Sequence, residues 1–472
     1  MLIETNHSSD ERGHALVIGG SMAGLLAARV LSERFGRVTI VERDRFPEGP
    51  VSRKGVPQSR HLHLLMMRGC LIVERLFPGL REELSASGAV LLDMANDVEW
   101  LTPAGFAPHF RSGLPLLMCS RDLLEWTVRK HVAALPQVRF LERNDVTGLL
   151  PTPDGKGVAA VKIRSRDRGS SAESEEALHA ELFVDASGRN SNAPRWLEAL
   201  GYASPEETNI NAHLGYASRV YRRPEEIEQD WKGIYVQATP PLVTRGGGLF
   251  PLEGGRWGVT LYGVGGDYPP TDEEGFMNFA RSLRSPILYQ AIRDAEPLSD
   301  ISGYRDTENR RRHYEKLRRQ PHNFLVTGDG VCAFNPVYAQ GMTTAALGAE
   351  TLEECLREKG DLAGLSQRFQ KKLSNVNAGS WLMAMGEDFR VRGVEGGKAT
   401  LATRLTHRYM DQVLALSLQD IRVRRTFMEV FHMLKAPTAL FAPDIIAKVL
   451  REVTRQATQE KHPVGRKLPE AA

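Results

Sequence analysis

The stretch from residue 15 to residue 43, ALVIGGSMAGLLAARVLSERFGRVTIVER, constrains the fold of this chain more than any other. The apolar run Ala15–Ile18 predicts a buried strand, and apolar residues at helical spacing predict a helix over Ala23–Phe35. Gly36 ends that helix, and Val38–Val41 predicts a second strand. A glycine-rich turn joins the first strand to the helix. This order of elements is typical of a dinucleotide-binding unit.

The glycine-rich turn is suited to holding a pyrophosphate. It consists of Gly19, Gly20, Ser21, Met22, Ala23 and Gly24. Its outer glycines permit a sharp bend and close packing of helix on strand, and the helix N-terminus presents free N–H groups to an anion. Ser21 replaces a glycine of the G-x-G-x-x-G pattern, but its small side chain still permits close approach. An ordinary strand–helix turn is the alternative. Glu42, about 20 positions further on, favours the dinucleotide, because its carboxylate can accept hydrogen bonds from a ribose.

Basic residues follow the second strand. Arg43 can stack on an adenine, and Arg53, Lys54 and Arg60 crowd a loop rich in proline and glycine that leads into a helix from about His61. Such a loop beside a pyrophosphate can clamp the phosphates. A solvated basic loop is the alternative, and the residues alone leave both interpretations open.

The composition excludes several other classes of protein. The chain has 472 residues, of which 42% are hydrophobic, and a formal charge of +3, so we expect a globular protein of two or three interleaved domains. Basic residues are scattered, which argues against nucleic-acid binding. The four cysteines are far apart and have no metal-ligand spacing, which indicates a reducing cytoplasm and no metal site. The polar N-terminus predicts no signal peptide, and no apolar run is long enough to span a bilayer.

A third region of the chain carries a second ligand signal. The buried strand Phe324–Val326 ends at Gly328 and Asp329, and the Asp329 carboxylate can bind a second ribose-like chain. Pro336 shapes the next loop, and Gly341 and Met342 open a helix whose N-terminus can face a negatively polarised ring. This pattern fits a flavin.

Residues between 203 and 312 alternate in the manner of β-strands and predict a sheet that roofs a pocket. Aromatic side chains of this sheet are candidates to line the pocket: Tyr216, Phe250, Trp257 and Tyr262. Packing in the core is the alternative role for each of them.

Together, four strings resemble those of the single-component flavoprotein monooxygenases, the group similar to para-hydroxybenzoate hydroxylase. They are GGSMAG with Glu42 and Arg43, SRDLLEWTVR with Arg121, DASGRNS, and GDGVCAFNPVYAQGM. The resemblance covers roughly Ala15–Glu358. Within the group, RKGVPQSRHLH and FNPVYAQGM look closest to the olefin epoxidases of polyether antibiotic pathways, of the lasalocid and monensin types.

The resemblance implies that FAD binds along these motifs. The glycine-rich turn would hold the pyrophosphate, Glu42 and Arg43 the adenosine, and Arg53 and Arg121 the ribityl-phosphate portion. Val146 would bracket the adenine. Asp329 would bind the ribityl chain or pyrophosphate, and Gly341 and Met342 would lie beside the isoalloxazine. Further candidates are Lys54, Arg60, Gly328, Pro336 and Gln340 for the cofactor, and Phe334 and Tyr338 for the substrate pocket.

The resemblance also implies a mixed α/β fold with a discontinuous FAD-binding domain. We predict a Rossmann-like domain formed by residues 1–75, 115–202 and 303–378, interleaved with a substrate-binding sheet formed by residues 76–114 and 203–302. A helical region would follow over 379–455 and a charged, disordered tail over 456–472. The helical region is rich in methionine and aromatic residues, so it is either a plain cap or a cover for a long lipophilic substrate. Leu440–Val449 is a weaker candidate for contact with a membrane surface.

The implied activity is that of a cytoplasmic monooxygenase, present as a monomer or homodimer. NAD(P)H and O2 would form a C4a-hydroperoxyflavin that epoxidises alkenes of a lipophilic polyketide or terpenoid in secondary metabolism. Ala186 in DASGRNS departs from the family's glycine, so the choice between NADH and NADPH stays open. An aromatic hydroxylase of the same fold is the first alternative. A halogenase is disfavoured by the absence of a W-x-W-x-I-P string, and a prenyl reductase would consume no oxygen.

Overall fold

The computed structural model describes residues 13–167, 175–225, 229–305, 307–358 and 362–461, with backbone only for 456–461. The helices in this part of the chain are α1 Met22–Leu31, α2 Met67–Leu76, α3 Leu80–Ala86, α4 Arg121–Ala133, α5 Ala193–Ala199, α6 Glu273–Arg281, α7 Ile287–Ile292, α8 Gly341–Glu358, α9 Leu365–Asp388, α10 Leu401–Ser417, α11 Ile421–Phe431 and α12 Pro443–Lys461.

The strands form five sheets within the same described ranges. They are β1 His14–Ile18, β2 Arg37–Val41, β3 Val90–Asp93, β4 Val98–Thr102, β5 Gly105–Phe106, β6 Pro115–Met118, β7 Val138–Leu141, β8 Asn144–Pro151, β9 Val158–Ser165, β10 Glu176–His179, β11 Leu182–Asp185, β12 Glu207–Ile210, β13 Gly215–Arg222, β14 Gly233–Val236, β15 Arg245–Leu252, β16 Arg256–Gly263, β17 Ser302–Tyr304, β18 Asn309–Arg312, β19 Phe324–Val326 and β20 Cys332–Ala333.

A parallel sheet of order β19-β11-β1-β2-β7 carries the predicted dinucleotide unit. Every residue of β1 is buried, as expected for the middle strand of a sheet covered on both faces. Helix α1 packs between this sheet and α8. It ends at Leu31, short of the predicted Phe35, because the chain turns there and the Phe35 side chain packs into the core.

A small antiparallel sheet of order β10-β9-β8 is inserted after β7. Two shorter sheets, β12-β18-β20 and β3-β6, complete the part of the molecule around the parallel sheet. The helix predicted from about His61 is wrong at its start, since α2 begins only at Met67. The reason is tertiary: the Leu62 N–H donates to Thr260 Oγ1 at 3.2 Å, which holds this segment extended.

The large sheet has order β17-β13-β16-β15-β14-β4-β5 and two different faces. Its outer face packs on α6 and α7 in one apolar cluster, which includes Trp257. Because side chains alternate along a strand, the neighbouring residues point the other way. We call this opposite side the inner face and define it by Trp100, Tyr216, Ser218, Tyr235, Phe250, Thr260 and Tyr262.

The C-terminal helices cover one end of the inner face. Phe427 and Phe431 of α11 lie 6.2 and 5.4 Å from the Trp100 ring, measured between ring centroids. The predicted disorder from Gln456 is wrong in its first residues, since the backbone of α12 is helical to Lys461. The remainder of that predicted tail lies outside the described residues. Among the helices of the described ranges, none is both long and apolar enough to cross a bilayer.

Candidate active site

The glycine-rich turn has the close packing that its sequence predicts. Gly19 has φ +97°, in the left-handed region that favours glycine. A Cβ on Gly24 would lie 1.8 Å from the Gly19 carbonyl oxygen, so only glycine fits where α1 crosses β1. The N-terminus of α1 is thereby fixed at the end of the parallel sheet, where a pyrophosphate can bind.

The buried Glu42 carboxylate links the glycine-rich turn to the end of β2 by hydrogen bonds. Its Oε2 accepts the Gly20 N–H at 2.8 Å, and its Oε1 accepts the Asp44 N–H at 3.0 Å. Arg43 is exposed and donates weakly to the Gly55 carbonyl at 3.4 Å. Half-buried Val146 lies on β8, which contacts β2 beside this corner. The structure therefore places these three predicted adenosine residues at one corner of the molecule.

Beside the turn lies a buried group of charged residues. Arg121 Nη2 donates to Ser21 Oγ at 2.9 Å and to Glu125 Oε2 at 2.6 Å. Arg53 Nε donates to Glu125 Oε1 at 3.2 Å, and Arg53 Nη1 donates to the Asp44 carboxylate at 3.0 Å. Sequence reasoning missed Glu125, although its position one helical turn after Arg121 was the available signal.

Each of these two arginines also has a buried nitrogen that donates no hydrogen bond to the described residues. Arg121 Nη1 and Arg53 Nη2 are buried and make no hydrogen bond within the described residues. Burial raises the pKa of Glu125, but Arg121 and Arg53 outweigh that effect and hold its pKa below the ordinary value. Buried donors next to a helix N-terminus suit a phosphate. Lys54 and Arg60 are exposed, and the structure does not bring them into this group.

At the other end of the site, beside α8, lie side-chain oxygens that accept no hydrogen bond from the described residues. Gly328, with φ +60°, lies against Ala23 of α1, and its neighbour Asp329 is half-buried. Burial raises the pKa of Asp329, against the opposing effect of Arg189, Arg310 and Arg121. Among the described residues, we find no hydrogen bond to its carboxylate.

Space is open in front of α8. A Cβ on Gly341 would meet nothing nearer than Asp329 Oδ1 at 3.9 Å. Gln340 Oε1 is buried and has no donor in the described part of the chain. Met342 is half-buried in the first turn of α8. Free acceptors beside an open helix N-terminus fit the hydroxyl-bearing chain and the polar ring edge of a flavin.

The loop before α8 rests on a buried polar cluster that the sequence motifs did not reveal. Tyr338 Oη donates to Asp388 Oδ1 at 2.5 Å, and Asn309 Nδ2 donates to Asp388 Oδ2 at 2.7 Å. Asn335, which precedes Pro336, donates from its backbone N–H to Asn309 Oδ1 at 2.6 Å. Burial raises the pKa of Asp388 to about 7. Asp388 ends α9, outside every motif of the sequence, so only the fold brings it here.

The inner face of the large sheet adjoins this loop. Tyr216 and Tyr262 pack in one cluster with Val337, next to the predicted pocket residue Tyr338. Tyr262 Oη accepts the Ala238 N–H at 3.0 Å and lies 3.5 Å from Tyr235 Oη. These tyrosines place an apolar surface with a few hydroxyl groups beside the open end of α8.

Two histidines, His61 and His63, lie in the segment that precedes α2, and His61 contacts the inner face. His61 Nδ1 lies 2.8 Å from Ser218 Oγ, and its ring contacts that of Tyr216 with a centroid distance of 4.8 Å. Burial, with a contribution from Arg121, lowers the pKa of His63 to about 3, and burial lowers the pKa of His61 to about 4. Both rings are therefore neutral at neutral pH, and the sequence string alone did not assign them a role.

The other predicted pocket residues are dispersed. Phe250 is on the inner face but lies further along it, in a cluster with Trp100 and Met428. Phe334 packs in the core around the parallel sheet. Trp257 does not line the pocket, because the alternation of side chains along β16 points it to the outer face.

Comparison with known proteins shows the family and the fold of this chain. Residues 12–361 match the protein family described as FAD binding domain. Over 477 residues the chain is 31% identical to Protein Rv3254 of Mycobacterium tuberculosis, with 98% of each chain covered. The fold is similar to that of the flavin-dependent brominase Bmp2, with a TM-score of 0.67, 15% identity, and 94% of this chain and 100% of the brominase covered.

A second solved structure has the same architecture. PqsL, described as a probable FAD-dependent monooxygenase from Pseudomonas aeruginosa, matches with a TM-score of 0.58 and 16% identity, over 87% of this chain and 98% of PqsL. At these identities the two structures show the fold alone. The family match covers most of the chain and includes both ends of the site described above. The chain therefore belongs to the FAD-binding-domain family, and it is an FAD-dependent enzyme of mixed α/β fold.

Proposed function

We propose that this enzyme is a monooxygenase that uses NAD(P)H and O2 to epoxidise alkenes of a lipophilic polyketide or terpenoid. One observation carries the proposal: the largely apolar inner face, with Tyr216 and Tyr262, ends at the loop that opens α8. A lipophilic substrate on that face would reach the place where the flavin ring is expected. FAD bound there supplies the redox chemistry by which one atom of O2 reaches the substrate.

The chain's own residues would bind the cofactor and orient the substrate. Arg53 and Arg121 would pair with the pyrophosphate through the donors that are now without acceptors. Asp329 would accept hydrogen bonds from the ribityl hydroxyls. The N-terminus of α8 would stabilise negative charge on the flavin ring. No protein nucleophile is needed for such an oxygen transfer, and the inner face serves to exclude water.

Aromatic hydroxylation is the second candidate, and one observation favours it. The Asp388 carboxyl, with its pKa raised by burial to about 7, accepts a hydrogen bond from Tyr338 beside the inner face. A pair of this kind can accept the proton that an activated phenol loses. An alkene has no such proton to lose, so a role for this pair in catalysis would support the hydroxylase.

Labelled oxygen distinguishes the candidates. Purified holoenzyme is incubated with NADPH or NADH, ¹⁸O₂ and matched panels of polyenes and phenols, and the products are analysed by mass spectrometry. We expect one labelled oxygen added across an alkene. A labelled hydroxyl on an aromatic ring would replace the epoxidase with the hydroxylase. Label found only in peroxide and water, for every compound, would contradict both.

A further inference from the structure

A buried arginine at the far end of the inner face has no anionic partner among the residues that the structure describes. Arg424 lies on α11, and only 2% of its surface is exposed. Its Nε and Nη1 are buried and make no hydrogen bond within the described ranges. A guanidinium cannot lose its charge at physiological pH, and a buried charge is normally paired.

The surroundings of Arg424 are aromatic. Its guanidinium carbon lies 5.9 Å from the centroids of both Trp100 and Phe110. Burial lowers the pKa of Arg424, and no carboxylate of the described residues contributes to the shift. At the C-cap of the same helix, His432 is fully buried, and its two ring nitrogens are also without partners in the described structure. Aromatic contact compensates a desolvated cation only in part.

Arg424 is continuous with the proposed substrate face. Trp100 lies 5.8 Å from Tyr235, and Tyr235 lies 3.5 Å from Tyr262 at the hydroxyl oxygens. Tyr262 and Val337 belong to the cluster beside α8. A row of aromatic side chains therefore runs from the unpaired guanidinium to the place where the flavin ring is expected.

From this arrangement we infer that the substrate is a lipophilic carboxylic acid whose carboxylate pairs with Arg424 and whose apolar body lies along the inner face. The inference rests on the proposed function and specifies its substrate class. A carboxylate suits the site because it carries one negative charge and matches the planar donors of a single guanidinium. A phosphate carries more charge, and no second cation of the described residues acts on Arg424. Arg424 is then a specificity residue at a distance from the reacting carbon.

The test compares an acid with its uncharged ester. The probe is cis-parinaric acid, a fluorescent polyene acid. Its methyl ester is the uncharged analogue. Both are titrated into FAD-loaded protein without NAD(P)H. We expect the wild type to bind the acid at least about 10-fold more tightly than the ester, since a charge-assisted pair is worth about that factor. Arg424→Gln should remove the preference, and Arg424→Lys should keep part of it.

The control variant is Arg281→Gln, an exposed arginine on α6, beyond the outer face. It should keep the full preference for the acid. Equal binding of acid and ester by the wild type, no binding of the acid, or an acid preference that persists in Arg424→Gln would each overturn the inference.

Thermal unfolding separates binding from a structural role. Removing a buried unpaired charge should leave ligand-free Arg424→Met at least as stable as the wild type. A lower midpoint for Arg424→Met, with the acid preference intact in Arg424→Gln, would mean that Arg424 is structural. Because the titration needs no oxygen transfer, acid preference without labelled product contradicts the proposed function alone. Labelled product without acid preference contradicts this inference alone.

Discussion

At the scale of single residues, the site is defined by polar atoms that lack partners. Arg53 and Arg121 each keep a buried nitrogen without an acceptor among the described residues, although both are held by Glu125. An unpaired buried donor costs about 1–3 kcal/mol of stability. Two such donors beside the same turn therefore indicate a binding site for an anion. A pyrophosphate bound at α1 would satisfy both.

Arg121→Gln should therefore weaken FAD binding by about 1.5–3 kcal/mol, which is roughly a factor of 10 to 150 in dissociation constant. Glutamine keeps much of the length and loses the charge. Quenching of flavin fluorescence on titration into apoprotein measures the change. Arg222→Gln, an exposed arginine paired with Glu296 on the large sheet, should bind FAD as the wild type does. Equal losses in the two variants would remove Arg121 from the cofactor site.

Asp388 gives a prediction on pH. A carboxyl binds its proton more tightly when folding raises its pKa, so its contribution to stability falls as pH rises between the two values. The unfolded value is about 4, and burial raises the folded pKa to about 7. Wild-type stability should therefore decline across that window, by at most about 1.4 kcal/mol per pH unit from this group.

Asp388→Asn should flatten this part of the profile, because the amide keeps an acceptor for Tyr338 and does not titrate. The free energy of unfolding from pH 5 to pH 8 measures the difference between variant and wild type. Parallel profiles would show that Asp388 is not the titrating group.

At the scale of elements, the N-termini of α1 and α8 and the end of the parallel sheet define the position of the site. α1 and α8 pack against each other. A glycine lies at the start of each helix, Gly24 in α1 and Gly341 in α8, but the two have different structural roles. Gly24 permits the crossing of α1 and β1, whereas Gly341 leaves open space in front of α8.

A pair of alanine substitutions tests this difference. Gly24→Ala should prevent stable folding, because its Cβ would lie 1.8 Å from the Gly19 carbonyl oxygen. Gly341→Ala should leave the melting temperature of the apoprotein unchanged or higher, since alanine favours a helix, yet weaken FAD binding by intruding on the open space. Circular dichroism melts and flavin titration measure the two effects. A Gly341→Ala variant with normal FAD affinity would place the flavin ring elsewhere.

Elements also explain where sequence reasoning succeeded and failed. The close-packed turn at Gly19 was predictable because its constraints are local to one strand, turn and helix. The ribose contact predicted for Glu42 stays a prediction. The helix start at His61 was wrong because Thr260, distant in the chain, captures the Leu62 N–H. The prediction of Trp257 as a pocket residue was wrong. The alternation of side chains along a strand divides them between two faces but does not show which face lies towards the cofactor.

At the scale of the whole molecule, the site joins parts that are far apart in sequence. Glu125, Asp388 and Arg424 lie on α4, α9 and α11, and their positions depend on how these helices pack in the fold. Of the three, only Glu125 has a local signal in the sequence, its position one helical turn after Arg121. The mixed α/β fold follows from the first strand, turn and helix. The route along the inner face required the structure. The division into the domains that the sequence suggests stays a prediction.

Because FAD would reach from Glu42 to Gly341, it should stabilise the entire fold and not one end of it. At about 100 times its dissociation constant a ligand adds about 2.7 kcal/mol. The thermal midpoint should rise with added FAD and rise much less with FMN or riboflavin at the same concentration, since these lack the adenosine end. Equal stabilisation by all three would mean that the corner at Glu42 does not bind the cofactor.

The balance of labelled oxygen against nicotinamide tests the central claim most directly. Holoenzyme is given NAD(P)H, ¹⁸O₂ and the best alkene of the panel, and labelled product and oxidised nicotinamide are counted together. We predict one ¹⁸O atom per molecule of product and one nicotinamide oxidised per oxygen transferred. Nicotinamide oxidation with bound FAD and substrate but no label in the organic product would contradict a monooxygenase built on this site.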